Sequence, residues 1–288
     1  GRHFACEDSV EIKLAGSAGF CYGVKRALDT VAETAGSSAK TIFTLGPLIH
    51  NPQVIEKLEK SGISSVDDLA RIPAGSIVVM PTHGVPKSVL EQASRAGLEV
   101  VDVTCPFVAN VHRLAERLVS EGYQIVVLGD QGHTEVRGLI SRAGDDVIAV
   151  SSDEELAGLK LKRQVGVLVQ TTQSAERYRR LVGEIAGRAY EVRAYNSICH
   201  ATAERQEEAV AVAREVGVMV VVGGRNSANT RRLAEICAET GVPTHHVETA
   251  DELLTEWFAG AERVGVTAGA STPDWIIDGV VRRLEETR

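Results

Sequence analysis

The chain is poor in aromatic residues, has no excess of positive charge and contains no long apolar run. Phe, Trp and Tyr make up 4% of its 288 residues, and the formal net charge is −8. Few stacking surfaces and an acidic charge balance argue against a nucleic-acid partner. No apolar stretch reaches the roughly 20 residues of a membrane-spanning helix. We therefore predict a globular protein without a nucleic-acid or membrane partner, which can still bind a small anion in a locally positive pocket.

Cysteine is also scarce, and its spacing lacks two familiar patterns. The sequence has neither the paired C-x₂₋₄-C knuckles of structural zinc sites nor the cysteine runs of ferredoxins. The odd count of five, with no secretion signal, argues against a disulfide framework and predicts a cytoplasmic protein. We expect Cys6 to be a mobile thiol in a polar arm and Cys237 to be a packed core residue.

Three other cysteines lie where an apolar strand pattern ends and a helical pattern begins. Cys21, Cys105 and Cys199 divide the chain into near-equal thirds. A thiol at a helix N-terminus is biased toward thiolate, the form that binds metals. One such residue alone would favour a buried small side chain, but three at equivalent positions predict a shared metal or cluster site with one coordination position open. We favour an iron–sulfur cluster, and zinc remains the alternative.

Short runs rich in Val and Ile alternate with helical patterns along the whole chain, which is typical of parallel βα units. Nine strand positions align as three groups of three. We predict an α/β fold of three similar small units with parallel sheets, arranged pseudo-threefold around a common centre that holds the cluster. The predicted limits of the units are 12–104, 105–198 and 199–288, and residues 1–11 form an arm that is disordered or was introduced for expression.

The loops that follow these strands carry most of the polar candidates, and ligands bind at the carboxyl ends of parallel strands. The histidines among them predict an anion-binding cradle, whereas a histidine-bound metal is the weaker alternative. The carboxylate is either a helix-dipole partner or a proton donor, and the hydroxyl and amide groups suit both helix capping and diphosphate binding. The candidates are His50, His83, His133, Glu135, Thr171, Thr172, Ser227, Asn229 and Ser271. We expect His112, His245 and His246, on or near helices, to be surface histidines without a functional role.

A series of motifs along residues 12–284 resembles those of the 4-hydroxy-3-methylbut-2-enyl diphosphate reductase (IspH/LytB) family. In chain order they are GFCYGVKRA, HNPQVIEKL, THGVPKSV, DVTCPFVANVH, GHTEV, QTTQS, ICHATAERQ, RNSANTRRL and GVTAGASTPDW. The resemblance implies a three-lobed α/β fold around a [4Fe–4S] cluster with one iron not bound by protein. It assigns the cluster to the three cysteines, the diphosphate to the three cradle histidines with Ser227, Asn229 and Ser271, and proton delivery to Glu135 and Thr171. Thr202 aligns with a threonine near the same pocket.

The resemblance also implies a reaction, which is the reductive dehydroxylation that ends the non-mevalonate route and gives isopentenyl and dimethylallyl diphosphates. Ferredoxin or flavodoxin would supply the electrons. The departures from the family pattern include Thr134, Arg137, His200 and Ala228. Thr134 stands for a proline, Arg137 for a glutamate and Ala228 for the second of two serines. These changes motivate the alternative of a related [4Fe–4S] enzyme with another small substrate. A redox or iron sensor and a zinc-binding structural protein are the non-enzyme alternatives.

Overall fold

The computed structural model of the chain describes residues 10–144 and 146–286. Residues 1–9 of the predicted arm, which include Cys6, lie outside the described residues. Glu11, also assigned to that arm, begins the first strand. No helix in these two ranges is both long enough and apolar enough to cross a membrane.

Strands and helices alternate along the described residues. The strands are β1 (Glu11–Leu14), β2 (Ile42–Leu45), β3 (Ser64–Val66), β4 (Ile77–Met80), β5 (Glu99–Asp102), β6 (Gln124–Leu128), β7 (Val147–Val150), β8 (Gln164–Val169), β9 (Glu191–Ala194), β10 (Val218–Val222), β11 (Thr244–Val247) and β12 (Arg263–Ala268). The helices are α1 (Tyr22–Ser37), α2 (Pro52–Lys60), α3 (Lys87–Arg95), α4 (Pro106–Ser120), α5 (Thr134–Ala143), α6 (Asp153–Ala157), α7 (Ala175–Ala186), α8 (His200–Ala213), α9 (Ala228–Glu239) and α10 (Asp274–Glu285).

These strands form three four-stranded sheets in which every pairing is parallel. Their orders are β3-β2-β4-β5, β7-β6-β8-β9 and β11-β10-β12-β1. The central strands are buried along almost their whole length, as in the run Val218–Val222, because helices cover both faces of a parallel sheet. The predicted α/β class with three similar parallel-sheet units is confirmed.

All nine predicted strand positions are strands, but the described residues contain twelve, so that three strands were missed. The three missed strands, β3, β7 and β11, each lie at the edge of a sheet. The segments Ser64–Val66 and Thr244–Val247 are short and mostly polar, as edge strands often are. Val147–Val150 is apolar but precedes a helix of only five residues, so that it gives no visible strand–helix passage.

The chain divides into two compact units. One contains residues 10–21 and 200–286, and the other contains residues 22–199 except residue 145. The first holds the sheet that β1 completes by pairing with β12, and the second holds the other two sheets. The limits 12–104, 105–198 and 199–288 stay a prediction. The pairing of β1 with β12 also links the two ends of the described chain.

Within residues 22–199, α4 starts after the edge strand β5 of one sheet and packs on the other sheet. Its residues Val111, Ala115 and Leu118 share a buried core with Ile125 and Leu168. The helix approaches β8 closely: a Cβ added to Gly166 of that strand would lie 2.8 Å from Leu118 Cδ1. This packing fixes the N-terminus of α4, where Cys105 lies.

Candidate functional site

The three cysteines occupy the same local position in the three sheets. Each follows an edge strand and directly precedes a helix, and each main-chain N–H donates a hydrogen bond to the loop after the neighbouring strand. The bonds run from Cys21 to the Ala270 carbonyl at 3.0 Å, from Cys105 to that of Thr82 at 2.8 Å, and from Cys199 to that of Thr171 at 3.1 Å. The predicted equivalence of these positions is therefore present in the backbone.

These three thiols also suit a metal or cluster chemically. Cys105 is the N-cap of α4, with proline at the first helical position, and all three are partly buried. Cys237 contrasts with them, because burial in the core raises the pKa of its thiol to about 12. Cys21 belongs to one compact unit, and Cys105 and Cys199 to the other. Among residues 10–144 and 146–286, no three His, Cys, Asp or Glu side chains are grouped closely enough to hold a metal ion.

The three predicted cradle histidines come together within residues 22–199. The rings of His50 and His83 stack with centroids 5.0 Å apart, and the ring of His133 lies 5.6 Å from that of His50. They reach this cluster from the loops after β2, β4 and β6, at the carboxyl ends of the strands. His133 is also the N-cap of α5, because its Nδ1 accepts a hydrogen bond from the Glu135 N–H at 3.2 Å.

The electrostatic surroundings of the three histidines favour a bound anion. Burial, together with the nearby His50 and His133, lowers the pKa of His83 to about 3. Imidazoles this close repel one another when protonated, whereas an anion beside them would favour their charged forms. Helix N-termini next to two of these loops add N–H groups that favour negative charge. The arrangement can therefore bind a phosphate-like group.

Glu135 is a buried acid that follows His133 of this cluster by two residues. Its side chain receives two hydrogen bonds from Thr171, from the main-chain N–H to Oε1 and from Oγ1 to Oε2, both at 2.8 Å. Burial raises the pKa of Glu135 to about 7, although both bonds from Thr171 oppose the shift. A carboxyl group that titrates near neutrality can donate and recover a proton. Of the two interpretations left open by the sequence, the geometry favours the proton donor.

Gln170 connects the loops that carry His133 and Thr171, and it was not among the predicted site residues. Its Oε1 accepts a hydrogen bond from Asp130 N at 3.1 Å, and its Nε2 donates to Thr172 Oγ1 at 2.9 Å. The side chain is buried. The glutamine lies within the quoted motif QTTQS, which was the one available signal for it.

The other unit places its predicted ligands at the ends of the adjacent strands β10 and β12. Ser227 is the N-cap of α9 and its Oγ accepts a hydrogen bond from Thr230 N at 3.3 Å. Asn229 is buried, and neither polar atom of its side-chain amide has a hydrogen-bond partner. Since such burial is costly without a partner, this amide fits a polar ligand. Ser271 follows β12, and Thr202 is buried in the first turn of α8.

In the same unit, Arg205 is a buried residue that the sequence did not identify. Its guanidinium donates to the Gly19 carbonyl at 2.8 Å and to the Ala201 carbonyl at 2.8 Å. Gly19 adopts φ +111°, and a Cβ there would lie 2.9 Å from Asp274 Oδ1. Arg205 therefore fixes the backbone two residues before Cys21. The quoted motif ICHATAERQ contains this arginine.

The four departures from the family pattern differ in exposure. Arg137 and His200 are exposed, so that neither change alters a buried surface. Thr134 is the first residue of α5, where proline is also favoured, and Ala228 is the first residue of α9. Both are partly buried. Thr134 and Ala228 are thus the departures that lie next to predicted site residues.

The structure differs from the expectation for the three remaining histidines, His112, His245 and His246. His245 and His246 lie in the edge strand β11, not on or near helices. His112 lies on α4, but its side chain is only 3% exposed. The expectation that it lacks a role rested on surface exposure and is wrong on that point.

Taken together, the sheets and their loops define an α/β protein with the features of an enzyme, in which a buried acid adjoins a histidine cluster that suits an anion. The family model for LytB protein matches residues 12–285, and the chain belongs to this family. The 4-hydroxy-3-methylbut-2-enyl diphosphate reductase of Geobacter sulfurreducens is 51% identical over 277 residues, covering 96% of this chain and 98% of that protein. The reductase of the same name from Pelobacter propionicus is 50% identical, with the same coverage.

Solved structures support the same family assignment. The E-1-hydroxy-2-methyl-but-2-enyl-4-diphosphate reductase of Plasmodium falciparum matches with a TM-score of 0.92 at 27% identity, covering 96% of this chain and 88% of that one. A structure of (E)-4-hydroxy-3-methyl-but-2-enyl diphosphate reductase, described as the terminal enzyme of the non-mevalonate pathway, matches with a TM-score of 0.70 at 42% identity, covering 96% and 99%. The predicted family and the predicted oxidoreductase class are confirmed, and members of this family use an iron–sulfur cluster.

Proposed function

We propose that the chain reduces 4-hydroxy-3-methylbut-2-enyl diphosphate to isopentenyl and dimethylallyl diphosphates, the last step of the non-mevalonate route. The observation that carries this proposal is the continuous contact from His133 through Glu135 to Thr171. It joins an anion-binding cluster to a buried proton donor. A substrate with a diphosphate at one end and a hydroxyl leaving group at the other needs both.

The clustered imidazoles would bind the diphosphate. His50, His83 and His133 can each donate an N–H to it, and its negative charge would offset their mutual repulsion. We also propose the remaining predicted ligands for the same substrate: Thr172, Thr202, Ser227, Asn229 and Ser271. The unpartnered amide of Asn229 supports this assignment most directly.

Proton delivery falls to Glu135 and Thr171. The reaction replaces the C–OH bond by a C–H bond and consumes two electrons and two protons, with water as the second product. Glu135 in its neutral form would donate the proton that leaves with the hydroxyl oxygen, and Thr171 Oγ1, 2.8 Å from Oε2, would orient that oxygen and relay the proton. Burial of this pair excludes water from the carboxyl group.

We propose that Cys21, Cys105 and Cys199 hold a [4Fe–4S] cluster with one iron not bound by protein. When bound, such a cluster supplies the electrons one at a time and offers a Lewis-acidic iron to the substrate hydroxyl. Arg205 and the main-chain bonds of the three cysteines would orient these ligands. An external donor such as ferredoxin or flavodoxin must reduce the protein, and a cytoplasmic location remains a prediction.

Anaerobic purification followed by two assays tests this proposal. Iron and acid-labile sulfide are measured first, and the protein is then given the hydroxylated diphosphate and a reduced donor. We expect iron and sulfide in equal amounts and formation of both isomers. Zinc without sulfide would contradict the cofactor assignment. Full iron and sulfide loading without product would contradict the substrate assignment.

A related enzyme with another small substrate is the second candidate, and Ala228 is the observation that favours it. Loss of a hydroxyl beside Ser227 removes one donor to a charged group, an effect on the order of 1.5–3 kcal/mol. Ala228→Ser should then lower KM for the diphosphate, whereas Arg137→Glu at an exposed position should leave it unchanged. If the unmodified chain turns over the diphosphate efficiently and Ala228→Ser changes nothing, this candidate loses its support.

A further inference from the structure

His112 is packed between two glycines at the centre of residues 22–199. A Cβ on Gly84 would lie 3.0 Å from its Cε1, and a Cβ on Gly138 would lie 3.5 Å from its Nε2. Gly84 directly follows His83 and adopts φ +75°, and Gly138 lies on α5 three residues after Glu135. The imidazole on α4 therefore fills the space between the loop of His83 and the helix of Glu135.

The ring also makes a polar contact with Glu135 itself. The main-chain carbonyl of Glu135 faces the ring and favours its protonated form. Nε2 is buried without a hydrogen-bond partner, which leaves Nδ1 as the nitrogen that can face this carbonyl. This contact reaches the first turn of α5, whose other constraints are the contacts of Glu135 with His133 and Thr171.

Burial and the positive charge of Arg142 keep this imidazole neutral. Together they lower the pKa of His112 to about 4, against smaller opposing effects of the Glu135 carbonyl and Asp102. Arg142, on α5, also donates to the Val85 carbonyl at 3.4 Å and lies 3.8 Å from Glu116 on α4. The same three elements are thus joined a second time, next to the ring.

We propose that His112 is a positioning residue for proton delivery: from α4 it fixes the first turn of α5, and with it the carboxyl group of Glu135, relative to the histidine cluster. The proposal rests on the proposed function in that Glu135 is taken as the proton donor. A leucine would fill much of the same space but would present no N–H to the Glu135 carbonyl. An asparagine can present its amide N–H near the position of Nδ1.

The test uses cofactor-loaded enzyme with three substitutions. In His112→Leu we expect kcat to fall roughly 10- to 100-fold with KM nearly unchanged, because a displaced acid affects the chemical step more than binding. The alkaline limb of the kcat profile should move to lower pH, since looser packing hydrates Glu135. Amide hydrogen exchange in residues 134–143 should become faster. His112→Asn should recover most of kcat. Tyr123→Phe, which removes a partly buried hydrogen bond to Glu191 at the same core, should change neither kcat nor its pH profile.

Three outcomes would overturn the inference: wild-type kcat in His112→Leu, an unchanged pH profile despite lower kcat, or a loss of kcat in Tyr123→Phe as large as that in His112→Leu. If His112→Leu does not fold, His112→Asn and His112→Gln make the same comparison, because their amides occupy the positions of Nδ1 and Nε2. Asparagine should then be the more active, and equal or reversed activities would contradict the proposal. Absence of turnover in the loaded wild type would refute the proposed function, while hydrogen exchange would still report on α5.

Discussion

Thr171 donates two hydrogen bonds to the carboxyl group of Glu135, from N to Oε1 and from Oγ1 to Oε2, each 2.8 Å long. Both bonds favour the ionised carboxylate, whereas burial favours the neutral acid and is the larger influence. The balance places the pKa of Glu135 at about 7. Burial and the two bonds from Thr171 together therefore set the protonation of the proposed donor near neutral pH.

Removing the hydroxyl of Thr171 should shift that balance in a known direction. In Thr171→Val the carboxylate loses one donor, so that the pKa of Glu135 should rise by about one unit. Since the neutral acid is the active form, the alkaline limb of the kcat profile should move to higher pH. Thr171→Ser keeps the hydroxyl and should retain the wild-type profile. A shift of the limb to lower pH in Thr171→Val would contradict this assignment.

His83 should make the protein less stable in acid. Its pKa is about 6.5 in the unfolded chain and about 3 in the folded one, so that the unfolded state binds the proton first. The stability that neutral His83 contributes is complete above pH 6.5 and is lost as the pH falls toward 3. By pH 5 the loss should amount to about 2 kcal/mol.

His83→Asn removes this titration, so that its free energy of unfolding should fall less between pH 7 and pH 5 than that of the wild type. Urea unfolding at several pH values measures the difference. His200→Asn, at an exposed histidine, should follow the wild-type dependence. A steeper loss of stability in His83→Asn than in the wild type would disprove the prediction.

Gly84 should tolerate alanine less well than Gly75, although both adopt positive φ, +75° and +83°. The backbone strain alone is about 1–2 kcal/mol at either position. A Cβ on Gly75 meets no atom within 4 Å, but one on Gly84 meets His112 Cε1 at 3.0 Å and Thr104 Cγ2 at 3.3 Å. Gly84→Ala should therefore lose at least about 1 kcal/mol more than Gly75→Ala in chemical unfolding. Equal losses of stability in the two variants would contradict this prediction, because they would show that the Gly84 loop accommodates the Cβ without displacing the His112 ring.

The strand pattern predicted the sheets only in part, for physical reasons. Buried central strands such as Val218–Val222 form long apolar runs, and nine strand positions could be found. The short edge strand Ser64–Val66 has no such run and is held mainly by pairing with β2. The pairing of β1 with β12 joins segments about 250 residues apart, and no local pattern records it.

The candidate site was predictable where a residue type indicates its own chemistry. Three loop histidines suggested an anion cradle, and they do cluster. The role of Glu135 stayed open because its pKa depends on burial and on Thr171, 36 residues away. His112 was set aside because its packing between Gly84 and Gly138 arises only when three elements meet.

Replacement of Glu135 by glutamine tests the central claim most directly. Cofactor-loaded wild type, Glu135→Gln and Glu176→Gln are given the hydroxylated diphosphate with a reduced donor, and both isomeric products are measured. Glu176 is the matched control, since it is the second residue of α7 as Glu135 is of α5, but is exposed. Wild type and Glu176→Gln should form both products, and Glu135→Gln should be slower by roughly 10²- to 10⁴-fold. A wild-type rate in Glu135→Gln, with iron and sulfide complete in all three proteins, would contradict the account.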